Sequence, residues 1–168
     1  TEPFFCSGCP HNSSLKVPEG KRALGGIGCH YMAVDSIEST EFFTQMGGEG
    51  TPWIGIAPFS HEKHVFANLG DGTYKHSGIL AIRASLDANV NITYKILYND
   101  AVAMTGGQEI GSNWDVEGIV KQVLAEGVKK VSILSEDPKR YNHLVKNGVK
   151  SLHRDAIITE QEELSKYE

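Results

Sequence analysis

The sequence predicts an α/β domain built on a mainly parallel β-sheet. Short runs rich in β-branched and aromatic residues alternate along the chain with helical stretches of about ten residues. Two of the runs end on Gly-Asp-Gly and Asn-Asp turns. Alternation of this kind is typical of βαβ units, in which the strands are parallel. The 168 residues contain no internal repeat and no clear boundary, so we expect one domain over 1–168.

The composition narrows the class of protein. Hydrophobic residues make up 40% and charged residues 22% of the chain, as in a folded globular protein. The net charge of −5 argues against nucleic acid as a partner. No apolar run has the length of a membrane helix, and no signal peptide is visible, so we expect a cytoplasmic protein without a membrane partner. Because the chain lacks an initiator Met, we expect a processed protein or a piece cut from a longer one.

The elements follow in order along the chain. Residues 1–30 are rich in Cys, Pro, Gly and Ser, which predicts a loop-rich lead-in. The regular elements that we predict are a strand over 64–69, a helix over 78–88, a strand over 91–98, a Gly-containing loop over 99–113, a helix from Asp115 to a stop at Gly127, a strand over 131–134, a helix over 138–147 with Gly148 as its C-cap, and a last helix from Thr159.

The turn Gly70-Asp71-Gly72 stands out because it follows a predicted strand. Ligands of parallel α/β sheets bind at the carboxyl ends of strands. Glycines let the backbone approach a bulky anion, and Asp71 offers a carboxylate of the kind that Mg²⁺ prefers. One βαβ crossover would bring Asn99, after the next strand, to the same edge. The residues alone also allow two ordinary reverse turns.

The spacing of this turn and Asn99 resembles the cofactor motif of thiamine-diphosphate enzymes. The surrounding segments are similar to the thiamine-diphosphate domain of indolepyruvate ferredoxin oxidoreductases, members of the 2-oxoacid:ferredoxin oxidoreductase superfamily. The segments that carry the resemblance are 6–11, 26–30, 45–50, 70–78 and 91–108. The similarity covers about residues 3–145, in the family's order. It is greatest to the bacterial form in which all domains are fused.

The resemblance implies a fold and an activity. The fold would be a three-layer sandwich with a thiamine-diphosphate-binding site. The activity would be oxidative decarboxylation of an aryl 2-oxoacid such as indolepyruvate to an acyl-CoA, with electrons passing through iron–sulfur centres to ferredoxin. Coenzyme A, ferredoxin and a pyrimidine-binding domain of the same or a partner polypeptide would be the partners, in a homo-oligomer. No motif of that pyrimidine-binding domain is visible, so we expect this chain to be inactive alone.

The resemblance also assigns residues. The Asp71 carboxylate, the Asn99 side chain and the Ala101 carbonyl would bind magnesium. The residues that would contact or close over the cofactor are Gly28, Cys29, Met46, Gly47, Gly70, Asp71, Gly72, Thr73, Asn99, Ala101, Thr105 and Gly106. His11, His30 and His76 lie in the matched segments and are candidate catalytic residues. Each of the three histidines is equally compatible with a cap or a buried hydrogen bond.

Three cysteines form a second candidate site. Cys6 and Cys9 form a CxxC pair, Cys29 follows, and thiolates bind iron–sulfur clusters and zinc. The resemblance implies three ligands of a four-iron four-sulfur cluster. Since the chain has no fourth cysteine, the fourth ligand would be a non-Cys residue or come from elsewhere. The cysteines are also compatible with ordinary thiols, with a zinc site or with a site that holds no metal. For the whole chain, two alternative functions are a non-redox thiamine-dependent decarboxylase or synthase and a non-catalytic α/β module with a zinc-type cysteine site.

Overall fold

The structure is a computed structural model that describes residues 4–37, 39–111 and 115–166. Its strands are β1 Ala23–Gly25, β2 Thr40–Phe43, β3 Val65–Gly70, β4 Ile92–Leu97, β5 Ala101–Val102, β6 Gln108–Glu109, β7 Val131–Ser135 and β8 Val149–His153. Its α-helices are α1 His11–Ser14, α2 Ala33–Ser36, α3 Thr51–Ile56, α4 Asp71–Thr73, α5 Ile79–Asp87, α6 Val116–Ala125 and α7 Ile157–Ser165.

Shorter helical turns connect these elements. The 3₁₀ turns are Cys29–Met32, Ala57–Phe59, Ala103–Thr105, Pro138–Leu144 and Arg154–Ala156. A π-helical segment, Tyr74–Gly78, joins α4 to α5, so that helix runs without a break from Asp71 to Asp87. π-Helical turns occur frequently at functional sites, and this one begins three residues after Asp71.

The main sheet has four strands in the order β2-β1-β3-β4, and all its pairs are parallel. This confirms the predicted α/β class with a mainly parallel sheet. The longest pairing joins β3 to β4, from Val65 opposite Ile92 to Gly70 opposite Leu97. Both strands therefore end at the same edge.

The predicted lead-in contains a strand that the sequence did not indicate. β1 lies between β2 and β3, and its residues are all buried. Ala23 and Leu24 pair with Phe66 and Ala67 of β3. Three residues are too few to display a period of two, and the glycines that follow resemble a loop. Residues 1–30 thus supply a central strand of the sheet.

One face of the sheet packs against helices α5 and α6. Leu69 of β3 lies in a core with Ile82 of α5 and with Ile119 and Val123 of α6. Trp53 of α3 packs on the same sheet beside Leu24 and Val65. The apolar positions at helical spacing in α5 and α6 create these contacts, as the sequence predicts.

The opposite face is covered by the first part of the chain. Leu97 of β4 packs with Leu15 and Ala33, and Phe5 and Ile37 join this cluster. Neighbouring residues of a strand point to opposite faces, so Leu97 and Ile96 belong to different cores. The sheet is therefore covered on both faces.

The C-terminal part differs from the prediction. The sequence predicts a helix over 138–147, whereas the structure has a 3₁₀ helix that ends at Leu144. Gly148 leads into strand β8 instead of capping a helix. β8 pairs in parallel with β7, and Ile133 and Val149 form a further core with Val120. The left-handed Asn147 and Gly148 imitate a helix stop in the sequence.

Helix boundaries were predicted with mixed success. Asp115 caps α6 by accepting the Gly118 N–H at 2.8 Å, and Gly127 follows the helix with φ +103°, as predicted. α7 begins at Ile157 instead of Thr159, after a 3₁₀ turn. The predicted loop over 99–113 contains the short antiparallel hairpin β5–β6, and its end at 112–114 lies outside the described residues. Within the described ranges, no helix has the length and apolar character to cross a bilayer.

Candidate functional site

Asp71 and Asn99 meet at the edge where β3 and β4 end. Asp71 is buried, and its Oδ2 accepts the backbone N–H groups of Asn99 and Asp100, each at 2.7 Å. Its Oδ1 accepts the N–H of Gly72 at 2.8 Å. The carboxylate therefore joins the turn after β3 to the turn after β4. The predicted proximity of the two turns is confirmed.

The magnesium ligands predicted from the resemblance cluster around this carboxylate. Asn99 is exposed, and its Oδ1 accepts the N–H of Ala101 at 3.1 Å. Asp71, Asn99 and the Ala101 carbonyl are all oxygen ligands, which is the donor type that Mg²⁺ prefers. Their binding of magnesium stays a prediction. The donor chemistry fits this ion.

The glycine turn after β3 provides a close approach to the backbone. Gly70 is extended and precedes the helical stretch, so the first N–H groups of that stretch lie at this edge. A Cβ at Gly72 would lie 3.1 Å from Cγ2 of Val102. The Thr73 hydroxyl donates to the Ile27 carbonyl at 3.3 Å, which ties the turn to the segment after β1. The Gly72 N–H is donated to Asp71 Oδ1 and is not free. What suits the turn to a bulky diphosphate is its lack of side-chain bulk.

The hairpin β5–β6 lies beside this turn. It carries Ala101, and the Thr105 hydroxyl contacts Gln108 Oε1 at 2.5 Å and the Val102 carbonyl at 3.3 Å. Gly106 has φ +114°, which favours glycine at the bend. Lys75 of the π-helical segment donates to the carbonyl of Ile110. The predicted residues Thr105 and Gly106 thus belong to a hairpin that the helix after Asp71 holds in place.

His30 packs against three backbone glycines. A Cβ at Gly28 would lie 2.7 Å from His30 Cε1, and a Cβ at Gly26 would lie 2.9 Å from its Nε2. The corresponding distance at Gly70 is 3.5 Å. Burial, and next the nearby His11, lower the pKa of His30 to about 4. The ring is therefore neutral at pH 7 and lies against Gly70, the first residue of the Gly70-Asp71-Gly72 turn.

His11 lies near both Asp71 and His30. Burial lowers the pKa of His11, and the charge of Asp71 acts against this shift. In the described part of the chain, neither ring nitrogen of His11 has a hydrogen-bond partner, and His30 Nε2 also has none. Orphaned buried donors and acceptors are costly and mark places where a ligand or water binds. His76, by contrast, is exposed, and its Nδ1 lies 2.8 Å from Ser77 Oγ.

The predicted cofactor contacts Met46 and Gly47 lie in a glycine turn, the Met46 turn (Met46–Glu49). Met46 is exposed and Gly47 has φ +89°, and a Cβ at Gly47 would lie 2.4 Å from Ser77 Oγ. The Gly47 N–H is donated to Glu49 Oε2 at 2.7 Å, so this N–H is not free to bind an anion. The contact of Met46 and Gly47 with a cofactor stays a prediction.

Glu49 is a residue whose importance the sequence does not reveal. It lies in the segment 45–50, for which the sequence predicts only the cofactor contacts Met46 and Gly47. It is completely buried, and this burial raises the pKa of its carboxyl. The backbone N–H groups of Glu49 itself, Gly47 and Ile27 act in the opposite direction and lower the pKa. Asn68 is completely buried as well, and in the described residues both of its amide atoms lack partners. The signal in the sequence was an acidic residue inside a glycine-rich apolar segment.

The three cysteines lie in one region without forming a closed site. Cys6 is exposed, whereas Cys9 and Cys29 are half-buried. Burial raises the pKa of the Cys29 thiol, and the neighbouring Cys6 and Cys9 raise it further. Among the described residues, no three His, Cys, Asp or Glu side chains are arranged to hold a metal ion. The iron–sulfur ligation stays a prediction.

A cleft of about 450 Å³ adjoins the site on the side of β4. Its lining includes Asn99, the acidic residues Asp100, Asp115 and Glu117, and also Arg140, Tyr141 and His143. Side chains of both charges and aromatic rings therefore lie next to Asn99, one of the predicted magnesium ligands.

Curated relatives were found among archaeal enzymes. The chain is 26% identical to indolepyruvate oxidoreductase subunit IorA of Thermococcus kodakarensis, over 76% of this chain and 23% of that protein. It is 29% identical to the subunit of the same name from Archaeoglobus fulgidus, over 77% of this chain and 24% of that protein. The resemblance noted in the sequence is thereby confirmed. The chain spans about a quarter of the length of these relatives.

A solved structure shares the fold. It is a 2-oxoglutarate:ferredoxin oxidoreductase from Magnetococcus marinus, with a TM-score of 0.64 and 22% sequence identity. The similarity covers 91% of this chain and 63% of that one. The described sheet and its helices therefore have the same fold as that structure.

A family model covers most of the chain and includes every residue of the Asp71–Asn99 site. The model is that of the C-terminal TPP binding domain of thiamine pyrophosphate enzymes, and it matches residues 26–149. This chain belongs to that family of thiamine-diphosphate-binding domains.

Proposed function

We propose that this chain is the diphosphate- and magnesium-binding part of an indolepyruvate ferredoxin oxidoreductase, acting on aryl 2-oxoacids. The observation that carries the proposal is the carboxylate of Asp71, which joins the ends of β3 and β4 beside Asn99. The similarity to indolepyruvate oxidoreductase subunits supports the substrate class.

Asp71, Asn99 and the Ala101 carbonyl would hold Mg²⁺, and Gly70, Gly72 and Thr73 would face the diphosphate. Gly28, Cys29, Met46 and Gly47 would contact the rest of the cofactor, while Thr105 and Gly106 would cover it. When bound, thiamine diphosphate supplies the nucleophilic carbon that adds to the keto carbon of a 2-oxoacid. Asp71 and Asn99 would anchor and orient the cofactor, and neither would transfer a proton.

The overall reaction would consume a 2-oxoacid, coenzyme A and two oxidised ferredoxins. It would break the bond between the carboxyl and keto carbons and form a thioester, releasing CO₂ and a proton and reducing both ferredoxins by one electron. Cys6, Cys9 and Cys29 would ligate a four-iron cluster for this electron transfer. A pyrimidine-binding domain, in the same or a partner polypeptide, would complete the cofactor pocket of a homo-oligomer.

A second candidate is a thiamine-dependent decarboxylase or synthase without a redox step. The number of cysteines favours it, because the chain supplies three whereas a four-iron cluster takes four. The Cys29→Ser variant separates the two candidates. It should abolish ferredoxin reduction in the oxidoreductase and leave turnover unchanged in the non-redox enzyme.

The central test is a binding and turnover measurement on the full natural polypeptide. Calorimetry should show thiamine diphosphate binding that requires Mg²⁺. With coenzyme A and ferredoxin added, indolepyruvate and phenylpyruvate should be oxidised faster than 2-oxoglutarate. An absence of Mg²⁺-dependent binding would contradict the proposal, and a preference for 2-oxoglutarate would contradict the substrate class.

A further inference from the structure

Glu49 combines two properties that seldom occur together in a side chain. Its relative exposure is 0%, and in the described part of the chain no cationic side chain pairs with it. Burying a carboxyl group away from water is costly unless other groups compensate. Its position inside a glycine turn, Met46–Glu49, suggests that the turn requires the carboxyl group.

The side chain closes this turn and packs against the residues after β1. Oε2 accepts the Gly47 N–H at 2.7 Å. A Cβ on Gly26 would lie only 2.5 Å from Glu49 Cγ, so the glycine directly after β1 leaves just enough room for the glutamate. Oε1 has no partner among the described residues.

The backbone of the same residue is hydrogen-bonded to β4. The Tyr94 hydroxyl donates to the Glu49 carbonyl at 2.9 Å and lies 3.0 Å from Ser85 Oγ. Gly50 makes room for this hydroxyl, since a Cβ there would lie 2.6 Å from it. The turn thus packs against Gly26 through the side chain of Glu49 and is bonded to β4 through its carbonyl.

A chain of packing contacts leads from Glu49 to the Gly70-Asp71-Gly72 turn. The missing Cβ of Gly26 marks a point 2.9 Å from His30 Nε2, so Glu49 and His30 are neighbours across that glycine. His30 in turn packs below Gly70. On the other side, Gly47 leans on Ser77 of the π-helical segment. Glu49 therefore contacts, directly or through one residue, both Gly70 and the π-helical segment that follows Asp71.

We propose that Glu49 is a positioning residue that holds the Met46–Gly48 backbone in its cofactor-binding conformation against the end of β1. This inference rests on the proposed function. The group needed is a hydrogen-bond acceptor of the length of glutamate, and its negative charge is not required. Burial raises the pKa of the carboxyl, which agrees with a role for the neutral form.

Three variants of the full natural polypeptide test this. Glu49→Gln keeps an acceptor at the same reach, so its Kd for thiamine diphosphate with Mg²⁺ should stay within about threefold of wild type. Glu49→Leu removes the acceptor and leaves the Gly47 N–H unpaired, so the Kd should rise roughly tenfold or more. The unpaired N–H lowers the free energy of unfolding, whereas the loss of a buried carboxyl raises it. The urea midpoint without cofactor should therefore fall less than in the Glu160→Gln variant. A residue that only stabilised the fold would not separate affinity from stability in this way.

Glu160→Gln is the matched control. Glu160 is a buried carboxylate of α7 that Lys150 contacts at 3.0 Å through both oxygens, and it lies outside the proposed site. Its neutralisation should lower the urea midpoint and leave the Kd unchanged. A Glu49→Leu variant that binds the cofactor within threefold of wild type would overturn the inference.

Two further outcomes are decided in advance. If Glu49→Leu does not fold, Glu49→Asp replaces it, since the shorter side chain withdraws the acceptor from Gly47. The Glu49→Asp variant must then bind the cofactor at least fivefold more weakly than the Glu49→Gln variant. Equal affinities of the two variants overturn the inference. If the wild-type protein binds no thiamine diphosphate, the proposed function fails first. Wild-type binding that Glu49→Leu leaves intact rejects this inference alone.

Discussion

Asp71 Oδ2 accepts the backbone N–H of Asn99 at 2.7 Å, across 28 positions of sequence. The bond makes the two turns one structural unit before any cofactor binds. The carboxylate of Asp71 therefore has a structural task besides its proposed ligand role, whereas the exposed Asn99 side chain has only a local one.

This difference predicts unequal effects of two substitutions. Asp71→Ala leaves the N–H groups of Gly72, Asn99 and Asp100 without their acceptor, so the free energy of unfolding should fall by roughly 1–3 kcal/mol. Asn99→Ala should cost less than about 1 kcal/mol. Both should weaken Mg²⁺-dependent cofactor binding at least tenfold. Urea unfolding without cofactor and calorimetry with it separate the two effects, and equal stability losses would contradict this interpretation.

The niche at Gly26 predicts a second contrast. In Gly26→Ala the new Cβ would lie 2.5 Å from Glu49 Cγ and 3.0 Å from the Asn68 carbonyl, so overpacking should cost roughly 1–3 kcal/mol. Gly55→Ala, within helix α3, meets no atom within 4 Å and should stabilise by about 0.5–1 kcal/mol. Thermal unfolding of the two variants provides the check. A neutral Gly26→Ala would show that β1 and the Met46 turn are loosely packed.

The buried histidines predict a loss of stability in acid. Burial, and next Lys21, lower the pKa of His64 to about 4, against an ordinary value of 6.5. Above pH 6.5 the ring is neutral in both the folded and the unfolded protein. Between pH 6.5 and 4 only the unfolded chain takes up the proton, so the free energy of unfolding falls, by an amount on the order of 3 kcal/mol for this residue.

His64→Gln isolates this contribution. Glutamine can still bond to Thr93 Oγ1, which lies 2.7 Å from His64 Nε2, but it does not titrate. The variant should lose less stability than wild type between pH 7.5 and pH 4.5, as measured by urea midpoints. Some acid sensitivity should remain, because the pKa of His30 is also lowered to about 4. Parallel pH profiles for variant and wild type would refute the assignment.

The cap of α6 predicts a modest effect away from the site. Asp115→Ala removes the acceptor of the Gly118 N–H and should cost about 1 kcal/mol. Asp115→Ser should retain most of the stability, since serine also caps helices. Cofactor affinity should not change in either variant, which circular dichroism melting combined with calorimetry can establish.

The parts of the fold that the sequence predicts are those with long regular patterns. β3, β4, α5 and α6 have enough residues for an apolar period to appear, and Asp115 and Gly127 carry recognisable helix boundaries. The sequence does not predict strand β8, because Asn147 and Gly148 resemble the end of a helix. In the structure, a Cβ at Gly148 would lie 2.4 Å from the Lys129 carbonyl, so that glycine permits a close approach to the start of β7.

The site shows the same division. The proximity of Asp71 and Asn99 follows from parallel strands that end at one edge, a relation that the sequence expresses. The burial of Glu49 and of His30 depends on which segments cover them in three dimensions. A glutamate between glycines looks like a surface residue until β1 is known to lie beside it.

The position of β1 has a practical consequence for anyone who subclones this region. A shortened gene that starts after codon 30 would keep the Gly-Asp-Gly turn, Asn99 and both strands that present them. Its product would nevertheless lack the strand between β2 and β3, and those two would have to meet across a gap. The sheet, rather than the cofactor motif, therefore defines the smallest piece of this protein that can be expressed as a folded unit.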